Sequence, residues 1–286
     1  MDILSIDSNI LFLLLSYSLA IFGISLLGGR LSEYVTLTHT RTQFVMSLVA
    51  GFLLGIAMFH LLLHSLEDNP EPGGSKTSIG FMVLGIILIV VMLRIFRFHQ
   101  HEISHEAVEM QEKQNNGNQS NNTDGINRGS VLSIGLGLGL HTVIEGIALG
   151  ASIQRGLAHE GTAILVGLGV FLAIMAHKPL EAYFIIALMR VAGYTKRACT
   201  LTNYSFAILC PVITILTFAG IGMFSELHLS GYIMAFSAGV FICISLGDLL
   251  PEIHFHSHDR GILAVAFLLG IGLAYCLFLY ESRSFH

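Results

Sequence analysis

Long apolar runs separated by short polar connections set the pattern of this chain. Eight runs stay apolar over about 20 residues, the length a helix needs to cross the hydrocarbon of a bilayer. They are Ile10–Gly29, Thr42–Leu66, Ser78–Phe98, Val131–Ile153, Ala163–Met189, Cys199–Phe224, Ser230–Leu250 and Ile262–Tyr280. The pattern predicts an all-α fold, a polytopic membrane bundle of eight transmembrane helices forming one domain over residues 1–286. The fourth run, "SIGLGLGLHTVIEGIALGAS", is rich in glycine, which membrane helices carry where their backbones pack closely. The fifth contains Pro179, which removes a backbone donor and predicts a bend near mid-span.

One connection differs in kind. Residues 99–127, between the third and fourth spans, are polar and Asn/Gln-rich ("QEKQNNGNQSNNTDG"). Such a stretch buries too little surface to fold, so a disordered His/Asn-rich loop is expected.

Composition agrees with the pattern. Of 286 residues 53% are apolar and 12% charged, against about 25% charged in soluble domains. Mean hydropathy is +0.74. So few charges cannot clothe a soluble exterior. The net charge of −5 argues against nucleic acid as a partner. The four cysteines form no C-x-x-C motif and give no disulfide framework. Asp2 and Asp7 stand where a signal peptide would carry basic residues, so the first run is read as a retained span.

Basic residues orient the bundle. With the N-terminus outside, Arg30, Arg41, Arg94, Arg97, Lys113, Arg128, Arg190, Lys196, Arg197 and Arg260 flank cytoplasmic connections. Only Lys76, Arg155 and Arg283 face outward, and Lys178 lies within a span. The positive-inside bias therefore places the 99–127 loop in the cytoplasm and both termini outside.

A repeat is also present. Ala50-Gly51 leads to His60-Leu-Leu-Leu-His64, and Ala238-Gly239 leads to Asp248-Leu-Leu-Pro-Glu252, at a fixed offset of 188. These segments lie in the second and seventh spans, which cross in opposite directions. Inverted repeats are a device for alternating access around a central site.

The fourth span holds His141-Thr-Val-Ile-Glu145 and the fifth His177-Lys-Pro-Leu-Glu181. Spacing of i, i+4 sends both members of each pair from one helical face. Two such faces, opposed, offer two imidazoles and two carboxylates, a set suited to zinc, iron, copper or nickel rather than calcium or magnesium. A charge at mid-span costs about 2.5–3.5 kcal/mol, so Glu145, Lys178, Glu181 and Asp248 need partners. A plainer reading, in which each pair hydrogen-bonds across helices to pack the bundle, has to explain two such pairs in adjacent spans.

With these residues in view, the segments "HTVIEGIALGASIQ" and "AHKPLEA" resemble the fourth- and fifth-span signatures of the ZIP family of zinc/iron-regulated transporter-like proteins, in the subfamily with His-Lys in the fifth span. The resemblance extends over the whole chain, and implies a transporter domain moving divalent metal into the cytosol. It implies a primary site of His141, Glu145, His177 and Glu181, with Asp248 lining the pathway and His60 at the equivalent place in the second span. Some family members hold a second ion beside the first. Here its positions are Thr142, Lys178 and Cys210, and an ammonium repels a cation, so one metal is expected, with Lys178 balancing charge.

Outside the spans, His99, His101, His105, His254, His256 and His258 are candidate cytosolic metal ligands. His101-Glu-Ile-Ser-His105 also satisfies the H-E-x-x-H zinc protease pattern, which keeps an intramembrane zinc metalloprotease as the alternative function. A protease would need that motif within a span, whereas it sits at a membrane exit. An effluxing metal/proton exchanger is disfavoured by the few residues after the last span, and the lack of a P-loop disfavours ATP-driven pumping.

The sequence thus leads to a non-enzymatic metal carrier in the lipid bilayer, expected in the plasma membrane and with no cofactor. Its expected cargo is Zn2+, with Fe2+, Cd2+ and Mn2+ compatible with the same ligands. The oligomeric state stays open, a homodimer among the options.

Overall fold

A computed structural model describes residues 8–34, 39–96, 128–159, 167–223, 229–249 and 260–284. Among the described residues, eight helices are long and apolar enough to cross a membrane, and no strand occurs. The first span is Ser8–Leu31. The second runs His39–Ile56, widens into a π-helical turn over Ala57–Leu62, and continues as Leu63–Asp68. The third is Gly74–Phe96, the fourth Arg128–His159 and the fifth Leu168–Val191. The sixth is Lys196–Met223; the seventh is Leu229–Ile244, followed by a second wide turn, Ser245–Leu249. Arg260–Ser284 forms the eighth.

The eight apolar runs therefore correspond to eight helices, with shifted ends. The described part of the fifth begins at Leu168, after Gly167 with a left-handed φ of 70°; Ala163, where the apolar run starts, lies outside the described residues. Pro179 and Pro211 both sit inside uninterrupted helices. The expected disordered loop, 99–127, lies outside the described residues.

The spans divide into an inner and an outer set. In the apolar windows of the second and fifth spans 61% of residues are buried, against 22% in the third and eighth. The outer helices point Phe12, Leu19, Leu201 and Leu268 outward, side chains that only hydrocarbon can cover at so little cost.

Close backbone contacts express the repeat. A side chain on Gly51 would overlap the carbonyl oxygen of Phe267 in the eighth span; one on Gly239 would overlap that of Met82 in the third. Reciprocally, Gly270 abuts the Leu48 carbonyl and Gly85 the Phe236 carbonyl. Each second-span residue maps onto its seventh-span counterpart by the offset of 188 that the sequence displays. The second–eighth and seventh–third pairs are thus two copies of one small-residue packing unit. The two wide turns, at Ala57–Leu62 and Ser245–Leu249, begin at the same offset. They carry His60 and Asp248, and π-turns of this sort gather at functional positions.

The fifth span is held against the first where Gly28 meets the Pro179 backbone, while Gly146 and Gly150 of the fourth meet the carbonyls of Cys210 and Thr214 in the sixth. These contacts bring the two His/Glu faces together in the interior.

Candidate metal-binding site

His141 and Glu145 project from the fourth span, His177 and Glu181 from the fifth, and all four are buried. One ligand atom from each lies within 4.8 Å of every other. His141 Nε2 is 2.9 Å from Glu145 Oε1 and 2.8 Å from Glu181 Oε1. His177 Nε2 contacts Glu145 Oε1 and lies 3.8 Å from Glu181 Oε1. Ligands about 2.0–2.1 Å from a tetrahedral zinc stand roughly 3.3 Å apart. The observed separations bracket that value.

Hydrogen bonding fixes how one imidazole is presented. His177 Nδ1 lies 2.6 Å from the Ala173 carbonyl oxygen, which can only accept, so Nδ1–H donates and Nε2 is turned to the carboxylates. A donor anchored to a main-chain carbonyl one turn back is the arrangement that orients metal-binding histidines. His141 has no hydrogen-bond partner on either ring nitrogen among the described residues, although two carboxylate oxygens lie close to its Nε2. A lone pair facing a carboxylate oxygen at such range is repulsive unless a cation lies between them. Either a proton on the ring or a metal ion would satisfy the geometry, so the two would compete for the same position.

Lys178 occupies the opposite side of the carboxylates. Its Nζ lies 2.6 Å from Glu145 Oε2, 3.0 Å from Glu181 Oε2 and 2.6 Å from Thr142 Oγ1. Thr142 in turn donates to the Leu138 carbonyl at 2.8 Å. The ammonium also sits 4.4 Å from the Phe206 ring centre, on the sixth span. Each glutamate therefore spends Oε2 on the lysine and turns Oε1 to the histidines. Cys210 is buried where the sixth span meets the fourth at Gly146.

The residues expected at a second ion position are thus close to the first, and an ammonium fills the place. His60 lies apart from this cluster, on the first wide turn, with Nε2 3.0 Å from Glu281 Oε2. Asp248 lies on the second wide turn, and its side chain is outside the described set. His99, His101, His105, His254, His256 and His258 are outside the described residues, and so is the H-E-x-x-H segment.

Sequence reading missed four features. The Ala173 carbonyl and the Phe206 ring carry no signal of their own in a single sequence. Arg155, counted simply as an outward charge, is buried, with Nε 2.8 Å from Asp68 Oδ1 and a second nitrogen 3.1 Å from Glu67 Oε2, joining the ends of the fourth and second spans. Glu281 was not singled out, though an acid closing an apolar span was a visible clue.

Comparison with known proteins adds an independent line. Residues 6–278 match the family model described as ZIP Zinc transporter. Zinc transporter ZIP9-A of Xenopus laevis is 33% identical over 141 residues, covering 46% of this chain and 45% of that protein. Zinc transporter ZIP9 of Micropogonias undulatus is 33% identical over 141 residues, 46% of this chain and 44% of that protein. Zinc transporter ZIP6 of Homo sapiens is 28% identical over 157 residues, 52% of this chain and 20% of that protein. The chain thus matches less than half the length of these relatives.

Proposed function

Because the chain belongs to the ZIP zinc transporter family, we propose that it carries divalent transition-metal ions, zinc foremost, into the cytosol through the buried His/Glu cluster. The observation that carries this reading is the convergence of two imidazoles and two carboxylates from adjacent spans, in an interior otherwise hostile to charge. His141, Glu145, His177 and Glu181 hold one ion. Lys178 neutralises part of the carboxylate charge and keeps a second ion out.

In this mechanism the metal enters from outside, sheds water and replaces the protons shared between the imidazoles and Glu145 and Glu181. Rocking of the helix sets against each other then opens the inward route past Asp248. The ion leaves toward the loops that bear His99, His101, His105, His254, His256 and His258. Both termini lie outside by the positive-inside count, and the plasma membrane is the expected site. A resident cofactor plays no part in this scheme.

The protease reading finds no support in the family match. Uptake of radiolabelled zinc, iron, cadmium and manganese by cells expressing the wild type or Glu181→Ala tests the proposal. Zinc uptake lost in Glu181→Ala supports it; uptake equal in both contradicts it.

A further inference from the structure

One set of buried polar side chains lies apart from the central cluster. His60 is 3% exposed and Glu281 8%, and their Nε2 and Oε2 atoms lie 3.0 Å apart. Despite that distance, neither ring nitrogen of His60 has a hydrogen-bond partner among the described residues. The Tyr17 hydroxyl, from the first span, is also buried without one, and lies within electrostatic reach of Glu281. Tyr17 is fixed by stacking on Phe171 of the fifth span, with ring centres 4.0 Å apart. The His60 ring presses on Gly169 of the same span, where a Cβ would collide with it. Polar groups from the first, second and eighth spans thus converge against the fifth, and buried polar atoms without partners are costly.

We propose that His60 and Glu281 hold a divalent transition-metal ion at a second, outer station, with water completing its shell. An imidazole beside a carboxylate suits zinc and its neighbours better than magnesium, and a 3.0 Å separation lets both reach one ion. The station is separate from the central cluster. Gly169 and His177 are eight residues apart on one helix, about 12 Å along its axis. A way in also exists. His64 has its ring centre 6.2 Å from that of His60, and its Nδ1 lies 3.0 Å from Glu67 Oε2, with the Glu67 side chain 53% exposed. Two protein ligands bind more weakly than four, as a stepping stone must if the ion is to move on. The station's part in transport rests on the function proposed above; its binding of metal does not.

The test is equilibrium binding of radiolabelled zinc to the purified full chain, read as differences between paired variants so that zinc on loop histidines cancels. The backgrounds are wild type and Glu145→Ala/Glu181→Ala. Adding Glu281→Gln, or separately His60→Leu, is expected to remove one ion per chain from both backgrounds, while His60→Cys, which offers a thiolate, retains it. Gel filtration and circular dichroism identify variants that fold, and two sites on different spans keep the test sound if one does not. Counts unchanged by both Glu281→Gln and His60→Leu overturn the outer station. Loss of one ion on Glu145→Ala/Glu181→Ala reports the central site separately, so either can fail while the other stands.

Discussion

Lys178 Nζ stands 2.6 Å from Glu145 Oε2, and this contact divides the labour of the carboxylate. One oxygen answers a permanent ammonium; the other faces His141 and His177. Two glutamates, one lysine and neutral histidines carry a net charge of −1, so a bound divalent ion brings the cluster to +1. A second ion would raise it to +3 in a medium that penalises unbalanced charge. The single-ion expectation follows from that balance.

Replacing the ammonium is therefore expected to change stoichiometry. Lys178→Asp should bind one more zinc ion per chain than wild type, measured on purified protein, because a ligand then occupies the place of a repelling charge. Lys178→Ala, which leaves two buried carboxylates without their counter-charge, should lose stability by about 3–5 kcal/mol, read from thermal unfolding in detergent.

The ligand glutamates and the loop glutamate separate transport from proteolysis. Glu145→Ala should lower zinc affinity by at least about 10–100-fold, the loss that even an outer-shell partner of a metal site can cause. Glu102→Ala should leave uptake intact. Radiolabelled uptake over a range of zinc concentrations reads both.

Acid should weaken binding. Imidazole coordinates metal only when neutral, so between pH 7 and 5.5 protons should compete with zinc for both rings. Apparent zinc affinity measured across that range should decline with each proton gained. A flat profile would speak against imidazole ligation.

Packing supplies a prediction remote from the site. Gly51→Val and Gly239→Val each push a side chain into a carbonyl on the facing helix, Phe267 in one case and Met82 in the other. Both should reduce stability by about 1–3 kcal/mol, and by similar amounts, since the two contacts are copies of one unit. Thermal unfolding of the two purified variants checks the parity.

Much of this was legible in the sequence. Hydropathy marked the eight spans, and i, i+4 spacing placed His141 with Glu145 and His177 with Glu181 on single faces, since helical geometry alone decides both. The repeat was visible as matched dipeptides at one offset, and Gly51 and Gly239 reveal its physical basis: only glycine lets the paired helices come so close. What a single sequence hides is tertiary. The widened turn under His60, its approach to Glu281 some 220 residues away, and the burial of Arg155 against Asp68 depend on which helices pack together. Local spacing carries no record of that.

X-ray absorption at the zinc edge, on purified protein loaded with one equivalent of metal, tests the shared-ion claim most directly. The account predicts nitrogen and oxygen ligands at about 2.0–2.1 Å with the scattering signature of two imidazoles, reduced to one by His141→Ala or His177→Ala. A sulfur ligand at about 2.3 Å, or a spectrum indifferent to both substitutions, would contradict it.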